Sequence, residues 1–423
     1  MGVVHELLRE VELPRMVKVR QSFASDRIED VASEVLKELR QEKIRSTIRP
    51  GMRVCITAGS RGINQFALMV KTIAAFVREC GAEPFIIPAM GSHGGCTAEG
   101  QREILTGYGI TEAYCGCPIL SSMETVKICE TPDGHDVKID RCAAEADGII
   151  VFNRVKPHTH FRGRYESGIM KMMTIGLGKQ AGAASAHDTG IVHLGEVVET
   201  FGNLVRTHAK VLFGLASVEN AYDQVCRVTA MTNAEIPEVE PGLQAYAKER
   251  MGRILLPESD VLVIDEIGKN FSGPGHDPNV SGSFSNPWTR GGHKKQRLVI
   301  LDLSEESHGN ASGVGLADFT TQRLVDKMKR EMADANCITA ITLEECKIPL
   351  TLENHEDAIK AGVRTCTDID RRQVRIVRIP NTLHLGEIYL SESLLGEARR
   401  HPDIEILSDP EPFAFDENGN LFA

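Results

Sequence analysis

The chain has 423 residues, of which 42% are hydrophobic and 25% charged, as is usual for a globular protein with an ample core. Its formal net charge of −11 argues against general nucleic-acid binding, because neutralising phosphates requires a basic face. No apolar run approaches the roughly 18 residues of a membrane span, and the first residues lack a signal-peptide pattern. We therefore expect a cytoplasmic protein with neither nucleic-acid nor membrane partners, and reduced thiols for its eleven scattered cysteines.

The N-terminal part of the chain predicts helices packed on a sheet. Helical spacing of apolar residues indicates a helix over 26–40, with Ser25 or Asp26 as its N-cap. A strand over 51–57 follows, then a Gly-rich turn that carries Arg61, and a second helix. Such a strand–turn–helix unit presents backbone N–H groups to an anion, and Arg61 adds a fixed cation. Arg61 is therefore a candidate anion ligand.

The same unit then repeats. A strand over 83–90 leads to a Gly-rich turn with Ser92 and His93, and a helix over 97–105 follows that Thr97 can cap. A helix N-terminus just after His93 would favour the neutral imidazole, which is the form that a general base requires. His93 is therefore a candidate acid or base.

The most distinctive segment follows a predicted hairpin over 126–139 and a buried strand over 146–152. In an extended segment, side chains two positions apart point to the same side, so this loop would present one strongly cationic surface. It lies after a strand, where open α/β sheets bind their ligands, and it suits a small anion. Six basic residues occupy alternate positions: Arg154, Lys156, His158, His160, Arg162 and Arg164.

Downstream, the pattern predicts the start of a helix over 166–173 and a flexible Gly-rich turn over 175–182. Residues 190–251 are predicted to be mostly helical, with one strand over 210–218.

A second alternation of strands and helices begins at 260–266 and includes a polar, Gly-rich loop with Lys269. We therefore predict the α/β class, with an N-terminal domain over 1–255, a C-terminal domain over 256–423 and the ligand cleft between them. Further strands are predicted at 297–303 and 374–379, and helices near 318–334 and 355–362.

Taken in order, these segments resemble the lactate racemase family, whose enzymes carry a nickel-pincer nucleotide. No single motif is specific, but the ordered set is. The resemblance is carried by the turn with Arg61, the G-S-H turn at His93, the K-P-H loop at His158, the S-G-x-x-K motif from Ser167 to Lys171, His187, and the I-G-K-N-x-S-G loop with Lys269.

The resemblance implies a two-domain enzyme that binds a pyridinium mononucleotide with two sulfur groups and a nickel ion, supplied by cofactor-biosynthesis enzymes. It assigns the nickel ligand to His187, a thioamide tether to Lys171, and alternating acid and base roles on the substrate hydroxyl to His93 and His158. Whether Lys171 is tethered, and whether His160 replaces His158 as the second base, stays open.

The implied reaction is racemisation or epimerisation of a small anionic 2-hydroxy acid by reversible hydride transfer. The extra arginines predict a substrate more anionic or polar than lactate, such as a malate-like dicarboxylate or a sugar acid. A cofactor carrier without turnover, or a hydrolase with a histidine-bound metal, are the alternatives. The cofactor-binding candidates are Lys171, Arg61, Lys269, Ser92, Gly168 and Lys179, and the substrate-binding candidates are Arg61, Lys269, His160 and Arg162.

Overall fold

The computed structural model describes residues 2–188 and 190–422, and contacts within the chain divide it into two compact units. The central unit is Ala24–Met251, and the terminal unit combines the residues up to Phe23 with those from Gly252 onward. Strands and helices alternate in both units, so the predicted α/β class is confirmed. No helix among the described residues has both the length and the apolar character needed to cross a bilayer.

The strands are numbered in chain order. Those of the described residues are β1 (Met16–Gln21), β2 (Arg53–Ala58), β3 (Glu83–Pro88), β4 (Thr125–Glu130), β5 (Asp136–Asp140), β6 (Gly148–Arg154), β7 (Val211–Glu219), β8 (Val225–Thr232), β9 (Val261–Ile267), β10 (Arg297–Leu303), β11 (Phe319–Thr321), β12 (Leu350–Leu352), β13 (Ile376–Ile379), β14 (Glu387–Ser391) and β15 (Ile404–Ile406).

The α-helices of the same residues are α1 (Val3–Leu8), α2 (Val31–Leu39), α3 (Glu42–Arg45), α4 (Phe66–Glu79), α5 (Ala98–Gly107), α6 (Glu112–Cys115), α7 (Arg141–Glu145), α8 (Ile169–Lys171), α9 (Lys179–His187), α10 (Leu194–His208), α11 (Ile236–Arg250), α12 (Pro278–Ser281), α13 (Gln322–Lys327), α14 (Arg330–Ala340), α15 (His355–Thr365) and α16 (Leu395–Ala398). A π-helical segment, Met172–Gly176, continues directly from α8.

The central unit contains a five-stranded sheet in the order β3-β2-β6-β7-β8. The first four of these strands run parallel, and β8 is antiparallel to β7. Hydrophobic side chains are buried on both faces of this sheet, including Ile56 on one face and Cys55 on the other. The carboxyl ends of β2, β3 and β6 therefore meet at one edge, where the predicted Gly-rich turns and the cationic loop emerge.

The terminal unit contains an eight-stranded sheet in the order β12-β11-β10-β9-β13-β14-β1-β15. β1 pairs antiparallel with β14 and β15. Its alternating residues Val17 and Val19 are fully buried in this sheet. Residues 1–23 thus group with the C-terminal part of the chain, which differs from the predicted N-terminal domain of residues 1–255.

Several local predictions were wrong in their structure or bounds. The helix predicted over 26–40 begins only at Val31, where the Asp30 carboxylate accepts the backbone N–H of Ser33 at 2.9 Å and provides the N-cap. The stretch 190–251 also contains β8, which pairs with β7 as an edge strand instead of forming a helix.

The Gly-rich segment predicted as a flexible turn over 175–182 is mainly helical. Its glycines allow close packing: a Cβ on Gly176 would lie 2.7 Å from the carbonyl oxygen of Ala89, and one on Gly182 would lie 3.0 Å from that of Lys138. The glycines therefore reflect tight contacts of a buried helix and not turn conformations.

Candidate functional site

Two turns at the carboxyl ends of β2 and β3 contact each other through His93. Nδ1 of His93 is in short hydrogen-bond contact with the hydroxyl of Ser60, which lies in the turn with Arg61. The Tyr108 hydroxyl donates to the carbonyl of Ser60 at 2.9 Å and holds that turn from the other side. The His93 side chain is exposed, so its ring is accessible to a ligand.

The predicted helix effect on His93 is not supported by the geometry. The helix α5 begins at Ala98 and is capped by the Thr97 side chain, which accepts the Gly100 N–H at 3.0 Å. A 3₁₀ turn, Gly94–Cys96, separates His93 from this helix. Because the macrodipole acts mainly within the first turn of a helix, its effect on His93 is small.

His158 of the cationic loop forms a close polar pair with Lys171. Nζ of Lys171 lies 2.5 Å from Nε2 of His158, while Nδ1 of His158 accepts the backbone N–H of His160 at 3.1 Å. The ring of Phe161 lies 4.3 Å from that of His158, centroid to centroid. With Nδ1 as an acceptor, a neutral His158 carries its proton on Nε2 and donates it towards the amine.

The charge states of this pair agree with its geometry. Burial, together with the positive charges of Lys156 and Arg61, lowers the pKa of Lys171 to about 7. Burial also holds the pKa of His158 well below its usual value, with Lys171 as the next cause. Near neutral pH, a substantial fraction of Lys171 is therefore an uncharged amine that can accept the Nε2–H of His158.

Cationic side chains, among them Lys156 and Arg61, surround Lys171. Partial desolvation lowers the pKa of the Arg61 guanidinium, and the positive charge of Arg154 lowers it further. The Arg61 side chain still has a solvent-exposed surface. Arg154 itself forms a short ion pair with the largely buried carboxylate of Glu219. Arg61 and the start of the loop from β6 thus lie close enough for their charges to interact, which raises the local positive potential.

The loop does not present all six basic residues on one surface. From Arg154 to Arg162, residues alternate between partly exposed and buried positions, as predicted for an extended segment. Arg164 departs from this pattern, since it stacks on Tyr165 and lies 3.5 Å from the carboxylate of Glu199. Arg162 donates to the carbonyl oxygens of His158 and Phe161. These contacts give both arginines a role in holding the loop.

Glu166 organises the loop from inside. Its fully buried carboxylate accepts the backbone N–H of His158 at 2.9 Å and lies 2.5 Å from Nζ of Lys248 on α11. A second buried carboxylate, that of Glu240, accepts the N–H of Met170 at 3.0 Å, next to Lys171. Burial raises the pKa of Glu240 to about 8. Neither carboxylate could be predicted from a sequence pattern, because their contacts depend on the tertiary fold.

Gly168 lies where a side chain does not fit. Its φ is +128°, and a Cβ would lie 2.3 Å from Oε1 of Glu240 and 2.8 Å from Val155. Its carbonyl accepts the side-chain amide of Asn153 at 2.9 Å. These contacts explain the glycine by packing, whereas the predicted cofactor contact of Gly168 stays a prediction.

Lys179, a predicted cofactor ligand, is fully buried and lies 3.1 Å from the carboxylate of Asp140. Burial lowers the pKa of Lys179 and raises that of Asp140. Ser92, in contrast, is partly exposed in the turn next to His93, and its carbonyl accepts the thiol of Cys96. Of these two candidates, only Ser92 has the exposure that a cofactor ligand needs.

Two further candidates stay predictions. Lys269 follows β9 in the terminal unit, where its ammonium donates to the carbonyl of Gly273 at 2.5 Å and its backbone N–H donates to Ser307. His187 ends α9, but its side chain lies outside the described part of the structure. Among the described residues, no group of three histidine, cysteine or acidic side chains could hold a metal ion.

Residues 6–197 match the family model of the lactate racemase N-terminal domain. This segment of the chain resembles the lactate racemase family. The fold agrees with this resemblance: the lactate racemase apoprotein from Thermoanaerobacterium thermosaccharolyticum is similar over 87% of this chain and 98% of that one, with a TM-score of 0.51 and 12% identity. A comparison with curated proteins found no match. Similarity to this family supports an isomerase of the racemase type acting on hydroxy acids.

Proposed function

We propose that the protein racemises or epimerises a 2-hydroxy acid with the help of a nickel-pincer nucleotide. The observation that carries this proposal is the contact between Lys171 and His158, inside a cationic surface. It combines a nucleophilic amine, a proton donor and an anion site within one family-matched segment of the chain. Supply of the cofactor by biosynthesis enzymes and a cytoplasmic location belong to the same proposal.

The residues present fit such a cofactor. An amine with a pKa of about 7 can be acylated near neutral pH, as a thioamide link to Lys171 requires. Arg61 and Lys156, whose charges act on Lys171, suit the phosphate and carboxyl groups of a nucleotide. We keep His187 as the proposed nickel ligand, and Ser92 and Lys269 as further proposed ligands. When bound, the cofactor would accept the C2 hydrogen of the substrate as a hydride and return it to either face.

The protein residues would manage the proton of the substrate hydroxyl. Removing this proton as the hydride leaves gives a neutral carbonyl at C2, and a positioned base typically contributes about 10²- to 10⁴-fold to such a step. The exposed ring of His93 is suited to accept the proton. His158 carries a proton on Nε2 in the present arrangement and is suited to donate one. Acylation of Lys171 would remove the amine lone pair and free Nε2 for the substrate.

The substrate carboxylate would bind to the cations around this pair. Arg61, whose charge acts on Lys171, and His160, whose charge acts on His158, are the candidates of the central unit, and Lys269 stays a candidate from the sequence alone. Because Arg162 contacts the loop itself and Arg164 contacts Glu199 on α10, the proposal of a malate-like dicarboxylate or sugar acid now rests on the remaining cations. A turnover panel of lactate, malate and aldonates would test it, and activity on lactate alone would contradict it.

The test of the proposed function begins with intact mass and nickel analysis of protein co-produced with the cofactor-biosynthesis enzymes. A mass adduct on Lys171 with about one nickel per chain, the ratio that a single histidine-anchored site implies, supports the cofactor and its tether. Nickel with a releasable nucleotide and an unmodified mass supports the cofactor without the tether. Absence of both would contradict the proposal.

Alanine variants separate a racemase from a carrier. We expect His93→Ala and His158→Ala to retain nickel and nucleotide but to lose racemisation, whereas His208→Ala, an exposed histidine at the end of α10, should behave like the wild type. Unchanged turnover in both site variants would contradict the assigned roles. A hydrolase with a metal on His158 is disfavoured, because both ring nitrogens of His158 already have partners.

A further inference from the structure

A chain of buried polar groups reaches the turn that carries His93. Nζ of Lys179 donates to the carbonyl of Pro88 at 2.5 Å and to Oε1 of Gln101 at 3.1 Å, and it lies 3.1 Å from Oδ2 of Asp140. Lys179, Gln101 and Asp140 are all fully buried. A buried ion pair is by itself weak evidence for stability. The informative feature is therefore which group each of these hydrogen bonds holds in place.

Gln101 links Lys179 to the turn that carries His93. Its amide nitrogen donates to the carbonyl of Gly91 at 2.9 Å and to that of His93 at 3.1 Å. Because Lys179 is a donor only, the amide oxygen of Gln101 must face it and the NH₂ group must face the turn. Both hydrogens of the amide are thus used to hold the backbone on either side of Ser92.

Asp140 and Lys179 connect the same cluster to α9. Oδ1 of Asp140 accepts the N–H of Ala143 at 3.1 Å, and the N–H of Asp140 donates to the carbonyl of Leu177 at 2.7 Å. Lys179 begins α9 with a left-handed φ of +52°, which is uncommon for a lysine. Such a conformation persists where surrounding contacts hold it, so the buried ammonium and the start of α9 are fixed together.

We propose that Gln101, Lys179 and Asp140 are positioning residues that fix His93 relative to α9, the helix that ends at His187. The inference rests on the proposed acid–base role of His93, and it replaces the sequence-based assignment of Lys179 to the cofactor. A displacement of about 1 Å at a reacting group can reduce a rate about 100-fold. A directed set of buried hydrogen bonds can prevent such a displacement, whereas an apolar core of equal volume would leave the turn carbonyls without donors.

The informative variant is Gln101→Met. Lys179→Met would leave the Asp140 carboxylate buried without its cation and can prevent folding, whereas Gln101→Met keeps the ion pair and the side-chain volume but removes both donors to the turn. Thr72→Val is the matched control, because it removes a buried hydroxyl that bonds only within α4, to the carbonyl of Leu68.

Hydrogen–deuterium exchange of the intact chain provides a readout that is independent of turnover. We expect Gln101→Met to accelerate exchange in residues 90–97 by about tenfold, as local opening becomes easier, while Thr72→Val leaves this segment unchanged. In cofactor-loaded protein, kcat should fall by about 10- to 100-fold with little change in KM, and Thr72→Val should retain wild-type kcat.

The outcomes separate this inference from the proposed function. If the loaded wild-type protein has no racemase activity, the proposed function fails, and the exchange experiment still decides whether Gln101 fixes the turn. Unchanged exchange in residues 90–97, or equal acceleration in Thr72→Val, would overturn the inference. Wild-type kcat in Gln101→Met would overturn it as well, even with faster exchange, because the turn would then need no fixing for reaction.

Discussion

The amine of Lys171 lies 2.5 Å from Nε2 of His158, and the two groups have complementary roles: the imidazole donates and the amine accepts. This arrangement requires a neutral amine, and the pKa of about 7 for Lys171 meets that requirement near neutral pH. The pair therefore combines a reactive amine with a ready proton donor, which is what covalent attachment of a cofactor followed by acid–base chemistry would use.

The first prediction concerns the reactivity of Lys171. Acylation of the apoprotein should modify Lys171 with a pH midpoint near 7, because burial lowers its pKa and the neutral amine is the nucleophile. Peptide mass spectrometry over a pH series measures this midpoint, with exposed Lys37 as the internal reference, since its pKa is raised by Glu34. A Lys171 midpoint as high as that of Lys37 would contradict the prediction.

The second prediction concerns the pH dependence of stability through Glu240. Its pKa in the folded state is about 8, against 4.5 as the ordinary value, so the folded state binds more protons between these pH values. Stability should therefore fall as pH rises from 4.5 to 8. Glu240→Gln keeps an acceptor for the Met170 N–H and removes this loss.

Denaturant unfolding of the wild type and Glu240→Gln at several pH values checks this prediction. The variant should match the wild type near pH 4.5 and exceed it at pH 8. Glu249→Gln, on the exposed side of α11, is the control and should keep the wild-type pH dependence. A constant difference between wild type and Glu240→Gln at all pH values would show that Glu240 titrates normally.

How much of this site could be predicted from the sequence depends on how far apart along the chain the interacting residues lie. Strand–turn–helix patterns predicted the turns of Arg61 and His93, because such signals are local. The amide contact from Gln101 to His93 spans 8 positions, and the bond from Met170 to Glu240 spans 70. Neither has a periodic signature, since a buried polar partner is chosen by the tertiary fold. The prediction of a flexible turn from the glycines after Lys171 was wrong, because their close packing against other segments also depends on the tertiary fold.

The third prediction concerns Gly168. Gly168→Ala should destabilise the protein by about 1–3 kcal/mol, because alanine is strained at φ +128° and its Cβ would lie against Glu240. Gly242→Ala, in the interior of α11 with nothing within 4 Å of its Cβ, should instead be neutral or stabilise by up to about 1 kcal/mol. Thermal and denaturant unfolding of the two variants compare them directly, and equal effects would contradict the packing argument.

The last prediction concerns Glu166, which holds the His158 backbone from inside the loop. Glu166→Ala should lower the free energy of unfolding by about 1–3 kcal/mol, because the N–H of His158 loses its acceptor. It should also raise the pH midpoint of Lys171 acylation, since a looser loop hydrates the amine and moves its pKa towards the ordinary value. Glu249→Gln is the control: it removes an exposed carboxylate of α11 and leaves Glu166 and its partners in place, so its Lys171 midpoint should stay near 7. An unchanged midpoint in Glu166→Ala would show that the Lys171–His158 contact forms without the buried carboxylate.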